Sequence, residues 1–599
     1  MAMKDHLRRI FSFRSPLLPF IMIVGIFLSF AFVVISWPNV ELGLEMVIPY
    51  AFLIFYFCTF LAVFQTVFKP SNLVSYEQKE GNHRPNPRII LIIAIFAVIF
   101  LMSERIFRFT LPTGGDTPIY VAEINNVARN GVTLDWLTRM PATRRFVLVL
   151  YPFIALNLSG EIIIKLVPPL LGVLYVLATY SFVKDFDKTT AALSSLVAAV
   201  SCNTLVLSSQ LYSNFFAITM MTIFFKYYLK SLASNSKKHI ALASILQFIL
   251  LQMYSPAWLV SAGIIFFFLL FSLRERSKRR HVTTVTLKIY LSSIAVICLG
   301  PFIISRFVNR LWDYDKLFMY YVGQMDSPLS NALSFLPTVL QGNSNRGPYD
   351  LHPFLLENGL LLFLASIGVV VLLTSEKSDF RKLVLAGTLA LSIAMPFFPI
   401  RFRFTVYYSI PILAALTLHD LIGKTPKILS AFNEVRFLGI KRQFGPIKKK
   451  MLFLFSIFSV LSILATFRLY QSPLIYSSAD HYADELFWIR DNYDSRTTII
   501  CVGQYVHNPP IIYDSDVAWV QGITRAYIYV GNLSDLLSGN IQKVAEPWVN
   551  TPDKINPSDL EHFTILLLWR KNFPEFYVPS EFEKTIIEKV HENVYVVKK

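Results

Sequence analysis

The stretch Pro112–Gly131, PTGGDTPIYVAEINNVARNG, lies between two long apolar runs and decides how the chain is read. Gly114 and Gly115 break the helix before it, because glycine resists helical confinement. Asp116 follows at once, so its carboxylate is expected just beyond the end of an apolar helix. Thr117-Pro118 suits a helix start, with proline in the first turn where its missing N–H is harmless. From Ile119 the run is helix-like, and Gly131 ends it. Glu123 stands about two turns beyond Asp116, on roughly the same face. Two roles for Asp116 remain open on these residues alone. It caps a helix at a membrane surface, or it is a general base at the mouth of a membrane cavity.

Working outward, the composition is that of a membrane protein. The 599 residues are 54% hydrophobic and 15% aromatic, with only 16% charged, against about 25% in soluble domains. That excludes a soluble enzyme and a disordered chain. Four cysteines are too few for a disulfide framework. Cys58, Cys202 and Cys298 lie in apolar runs and Cys501 in a strand-like run, so all four read as packed thiols.

A membrane-spanning helix needs roughly 20 apolar residues. Candidate spans lie near 17–37, 44–68, 88–108, 162–183, 189–208, 211–230, 238–253, 256–273, 285–306, 352–373, 381–399, 402–421 and 450–470, about 13 in all. The first follows Arg8, Arg9 and Arg14 and resembles a signal peptide, but it is long and lacks a small-x-small cleavage site. It is read as a retained helix with a cytoplasmic N-terminus.

Charge supports this topology. Residues 475–599 hold 17 Asp/Glu against 11 Lys/Arg, a net of −6 in a chain of +17, so the rest carries +23. The basic residues cluster in alternate gaps: Lys69–Arg88, Lys226–Lys238, Arg274–Lys288 and Lys424–Lys450. The intervening gaps 38–43, 209–210 and 254–255 hold no Lys or Arg. This is the positive-inside pattern, not a nucleic-acid surface. It places the loops 109–161 and 307–351 and the tail 475–599 outside. The tail reads as a small α/β domain, with helix-like ADELFWIRDNY before strand-like TTIICVG, AYIYVG, FTILLLW and VYVV.

Taken together, these elements resemble the GT-C superfamily of glycosyltransferases, most closely the protein mannosyltransferase and aminoarabinose transferase group. The likeness rests on Asp116 after an apolar helix, Tyr120, the helix ending Arg129-Asn130-Gly131, then Arg144-Arg145 and VLVLYPFIALNLSG. It covers roughly 85–475 by order of elements. It implies an α-helical polytopic fold in three parts. Residues 1–87 add two helices and a cytoplasmic linker, 88–474 form the catalytic core, and 475–599 form the extracytoplasmic domain. It implies that Asp116 is the catalytic carboxylate and that the donor is a polyprenyl-phosphate-linked sugar. The acceptor is then a protein, lipid or glycan on the outer face of the bilayer, and 143–160 is one membrane-parallel helix rather than a span. Thr117 stands where the group has a second acid, and no Pro-Pro-Leu element occupies the loop near Arg144-Arg145-Phe146.

The oligosaccharyltransferase branch carries a further acid in the next outer loop. Here that loop is SSQLYSNFF, with Tyr212 and Asn214 as substrate-binding candidates and no carboxylate. A divalent cation favours carboxylate ligands, so transfer without a metal or other cofactor is expected. The LWDYD string at 311–315 is similar to that branch's tail motif but lies in the wrong region.

Other candidates have two readings each. Arg401 and Arg403 in PIRFRFTVYYSIP either snorkel to the interface or clamp the donor phosphate. Arg144 and Arg145 anchor at the headgroups or contact the donor phosphate or Asp116. His352 reads as structural, and Asp480, His481, Asp484 and Glu485 as a cluster at a helix start, where the acids complement the helix dipole. A transporter or flippase and a non-catalytic scaffold are the rival readings. Against the transporter, the middles of the spans are nearly free of charge.

Overall fold

In the computed structural model the described residues are 54–64, 66–67, 86–108, 110–112, 117–133, 146–201, 204, 212–273, 276–305, 352–373, 378–397, 408–433, 483–495, 497–502, 519–520, 523–530, 559–568, 587–591 and 594–598. The chain divides into two compact units. One comprises 1–101, 170–207 and 213–471, and the other 102–169, 208–212 and 472–599.

The first unit is helical. Helices Pro87–Arg108, Gly160–Val183, Lys188–Val200, Tyr212–Ser234, Lys237–Met253, Ser255–Ser272, Arg276–Ser305, His352–Leu373, Ser378–Phe397 and Ser409–Asn433 lie wholly or partly within it. Most match expected apolar runs, with shifted ends. Lys188–Val200 stops before 208, while Ser409–Asn433 runs past 421 into a gap read as a loop. By length and composition, Gly160–Val183 is the one described helix long and apolar enough to cross a membrane.

Helix contacts in this unit use small residues and polar cross-links, as membrane interiors favour. His352–Leu373 packs on Ser409–Asn433. At Gly368 any Cβ would stand 1.9 Å from the Leu413 carbonyl oxygen, so only glycine permits this approach. The Tyr228 hydroxyl lies 2.8 Å from Thr286 Oγ1, and Thr417 Oγ1 donates to the Leu364 carbonyl at 2.6 Å. One face of Pro87–Arg108 leaves Ile89, Ile92, Phe96 and Phe100 exposed, at helical spacing, the last two 68% and 76%. A continuous apolar stripe of this kind suits hydrocarbon better than water.

The second unit carries the sheet. Strands β1 (Thr498–Val502), β2 (Tyr527–Val530), β3 (Thr564–Leu568), β4 (Ile587–His591) and β5 (Val594–Val597) are ordered β2-β1-β3-β5-β4. β1 is parallel to β2 and β3, while β5 is antiparallel to β3 and β4. The unbroken apolar runs of β1 and β3 fit interior parallel strands, and Ile499, Ile500 and Leu566 are buried. Each of the four strand-like runs contains a strand; β4, IEKVH, is an addition at the sheet edge. Helix Ala483–Asn492 buries Ala483, Glu485, Leu486 and Ile489.

One expectation is corrected here. Residues 143–160 do not form a single helix. Within their described part, Phe146–Val149 and Tyr151–Ala155 are short helices separated by Leu150, and Gly160 already opens the next long one. Pro152 lies in the first turn of the second piece. It has no N–H to donate back to the preceding turn, so it cannot continue a helix begun at Phe146. Pro168-Pro169-Leu170, the Pro-Pro-Leu of this sequence, falls inside Gly160–Val183 rather than in the loop.

Candidate active site

The helix expected after Asp116 is present as Thr117–Asn130. Gly131 ends it at φ +71°, in the left-handed region, and its N–H donates to the Val127 carbonyl at 2.9 Å. The helix buries a broad face: Thr117, Tyr120, Val121, Glu123, Ile124, Asn125 and Val127 are all buried. Tyr120 and Glu123, one turn apart, are thus both enclosed rather than solvated.

Three separated stretches meet at the start of this helix. Tyr212, from the second outer loop, puts its hydroxyl 2.9 Å from Thr117 Oγ1. Its ring packs edge-on against Tyr120 at 5.0 Å between centroids. Phe146, directly after Arg144-Arg145, packs edge-on against Tyr120 at 6.0 Å and stacks with Tyr212 at 6.4 Å. Each ring pair adds about 0.5–1.5 kcal/mol beyond its buried area. The structure therefore brings together Tyr120 and Tyr212 of the sequence-derived candidates, and adds Phe146 against both.

Asn214 is buried; its Oδ1 accepts from Ser213 Oγ at 3.3 Å, while its Nδ2 has no partner among the described residues. Asp116, Arg144, Arg145, Arg401 and Arg403 lie outside the described residues, as do the 307–351 loop and both sequences of the LWDYD and Asp480-His481 strings. Among the described residues, no group of three or more His, Cys, Asp or Glu side chains could hold a metal ion.

A second polar junction was not foreseen. Asn125 Oδ1 accepts the Gly160 N–H at 3.0 Å and Arg525 Nη2 at 3.3 Å. Glu161 Oε1 accepts from Arg490 Nη1 at 3.0 Å. Nothing local marks these residues: Asn125 is one polar residue in a helix, and Arg490 and Arg525 are isolated bases in an acidic tail.

No protein-family model matches the sequence, and no curated protein sequence matches it. In structure, the chain is similar to the oligosaccharyltransferase of Archaeoglobus fulgidus in its apo form. The TM-score is 0.52 at 15% identity, over 80% of this chain and 69% of that one. It is also similar to ArnT of Cupriavidus metallidurans bound to undecaprenyl phosphate, with TM-score 0.50 and 13% identity, over 85% of this chain and 97% of that one. Both are GT-C glycosyltransferases and integral membrane proteins. The GT-C resemblance drawn from the sequence is borne out as a likeness of fold.

Proposed function

We propose that the protein is a membrane glycosyltransferase that moves a sugar from a polyprenyl-phosphate-linked donor to an acceptor on the outer face of the membrane. The observation that carries this is the convergence of Thr117 and Tyr120, Phe146, and Tyr212. These residues adjoin, in sequence, Asp116, Arg144-Arg145 and the second outer loop. The GT-C likeness implies that these segments build a reaction site, and here the described parts of all three pack together. ArnT, one of the similar structures, is bound to undecaprenyl phosphate, which supports a polyprenyl phosphate as the carrier.

In this reading Asp116 takes the proton of an acceptor hydroxyl as its oxygen attacks the anomeric carbon of the donor sugar. The bond from that carbon to the phosphate oxygen breaks, and the electron pair leaves with the polyprenyl phosphate. Arg401, Arg403, Arg144 and Arg145 are the candidates to offset the phosphate charge, since guanidinium matches phosphate oxygens in pairs. Tyr120, Glu123, Tyr212 and Asn214 line or support the substrate. No metal is invoked, because the second outer loop offers Tyr212 and Asn214 rather than an acid. We take the core as 88–474, preceded by two helices, with about 13 spans, a cytoplasmic N-terminus and an extracytoplasmic tail.

The test is mass analysis of surface glycans and lipid-linked sugars in a deletion strain. A transferase leaves one glycan feature missing and one lipid-linked sugar accumulated, both restored by the parent gene and not by Asp116→Asn. An unchanged profile would overturn the proposal.

A further inference from the structure

Asn125 is where three segments of the second unit meet: the Thr117–Asn130 helix, the start of Gly160–Val183, and the residues just before β2. Asn125 and Glu161 are 3% and 8% exposed; the bond from the Gly160 N–H is buried, while those from Arg525 and Arg490 are part-buried. The approach is closed to bulk. A Cβ on Gly160 would stand 2.9 Å from both Asn125 Oδ1 and the Val121 carbonyl oxygen.

Several terms act against Arg525 occupying its place. Its φ of 59° is left-handed, which costs a residue with a side chain on the order of a tenfold population factor. Burial pushes its guanidinium below its ordinary value, and Arg490 and Arg129 add to this while Glu161 opposes it. What offsets these terms is the hydrogen bond to Asn125 and the attraction of Glu161. The neighbouring Arg490–Glu161 bond ties the same tail to the residue after Gly160. The helix held in this way begins at Thr117, one residue after Asp116.

We propose that the C-terminal segment sets the position of the Thr117–Asn130 helix for transfer, with Arg525 and Arg490 as positioning residues acting through Asn125 and Glu161. This rests on the assignment of Asp116 made above. Neither arginine touches the reacting atoms. Arg525 holds the helix whose first residue follows Asp116 in sequence, and Arg490 holds the neighbouring helix through Glu161; a misplacement of about 1 Å at a reacting group is enough to slow a reaction by about a hundredfold.

The experiment uses the full chain in detergent, with two readouts. Hydrogen exchange is followed on the backbone amides of 120–130, and transfer is measured as kcat and donor KM. Arg525→Ala is expected to speed exchange in this helix by about fivefold or more, the factor for one lost hydrogen bond. It should lower kcat by about tenfold with donor KM unchanged, the pattern of lost transition-state positioning. Arg525→Lys keeps a donor and should recover most of the rate. Asn125→Ala with Arg525→Ala should be no slower than Asn125→Ala alone. If Arg525→Ala does not fold, Arg525→Gln and Arg490→Gln carry the comparison. Unchanged exchange in these variants overturns the proposal whatever the activity. Faster exchange with unchanged kcat, in an enzyme that Asp116→Asn disables, overturns it too. A parent chain that releases no polyprenyl phosphate would instead remove the transferase reading, and with it the positioning role in transfer.

Discussion

The Tyr212 hydroxyl lies 2.9 Å from Thr117 Oγ1, a bond that joins residues 95 apart in the chain. Both residues are buried, and the Tyr212 ring also packs on Tyr120 and Phe146. Tyr212→Phe keeps the ring contacts and loses the hydroxyl. It should destabilise the protein by about 1 kcal/mol, the usual net worth of one hydrogen bond. Thr117→Val combined with Tyr212→Phe should cost less than the two single changes added together. Thermal unfolding in detergent provides the measurement, and strict additivity would show that the two hydroxyls do not act as a pair.

Glycine positions make a matched test of helix packing. Gly368→Ala places a Cβ 1.9 Å from the Leu413 carbonyl oxygen, a backbone atom that cannot swing away. The helices must separate, at a cost of about 1–3 kcal/mol or more. Gly263→Ala meets nothing within 4 Å among the described residues and gains helix propensity, so it should be neutral or slightly stabilising. Equal melting temperatures for the two variants would contradict the close approach.

Much of the second unit was legible because its signals are local. Gly114-Gly115, Thr117-Pro118 and Gly131 bracket one helix by backbone preference, and Gly131 indeed takes φ +71°. Interior strands β1 and β3 are unbroken apolar runs. β4 escaped because, as an edge strand, it carries Glu588 and Lys589 among its apolar residues. The break at Leu150 escaped because Pro152 sits in an apolar run whose composition alone reads as one helix. Tyr120 and Tyr212 were named as candidates, yet no spacing says that their rings touch. The Asn125–Arg525 bond joins residues 400 apart, and no periodicity or turn chemistry can report a contact of that range.

The charge pattern predicts an orientation. By the positive-inside rule, basic gaps alternating with gaps free of Lys and Arg predict residue 278 in the cytoplasm and residue 535 outside. In a cysteine-free background, Lys278→Cys should be shielded from an impermeant maleimide in intact cells, and Asp535→Cys labelled. The reverse pattern would place Asp116 on the cytoplasmic side and end the proposed chemistry.

Arg401 and Arg403 offer a test of the phosphate clamp. Arg401→Ala or Arg403→Ala should raise the donor KM or lower kcat with varied donor while leaving the acceptor KM nearly unchanged. Lysine at the same position keeps the charge but not the paired donors, so it should rescue only partly. Unchanged donor kinetics in both alanine variants would reduce these arginines to interfacial anchors.

The central claim rests on Asp116. Asp116→Asn keeps the side-chain size and much of the ability to cap a helix, so expression and melting temperature should hold. It removes the basic oxygen, and transfer should fall by on the order of 10²–10⁴, the range for a positioned acid–base group. Glu123→Gln, within the Thr117–Asn130 helix, should cost less. The decisive measurement is the rate of sugar transfer by purified, folded Asp116→Asn beside the parent. A loss of that size supports the account, and transfer at the parent rate contradicts it.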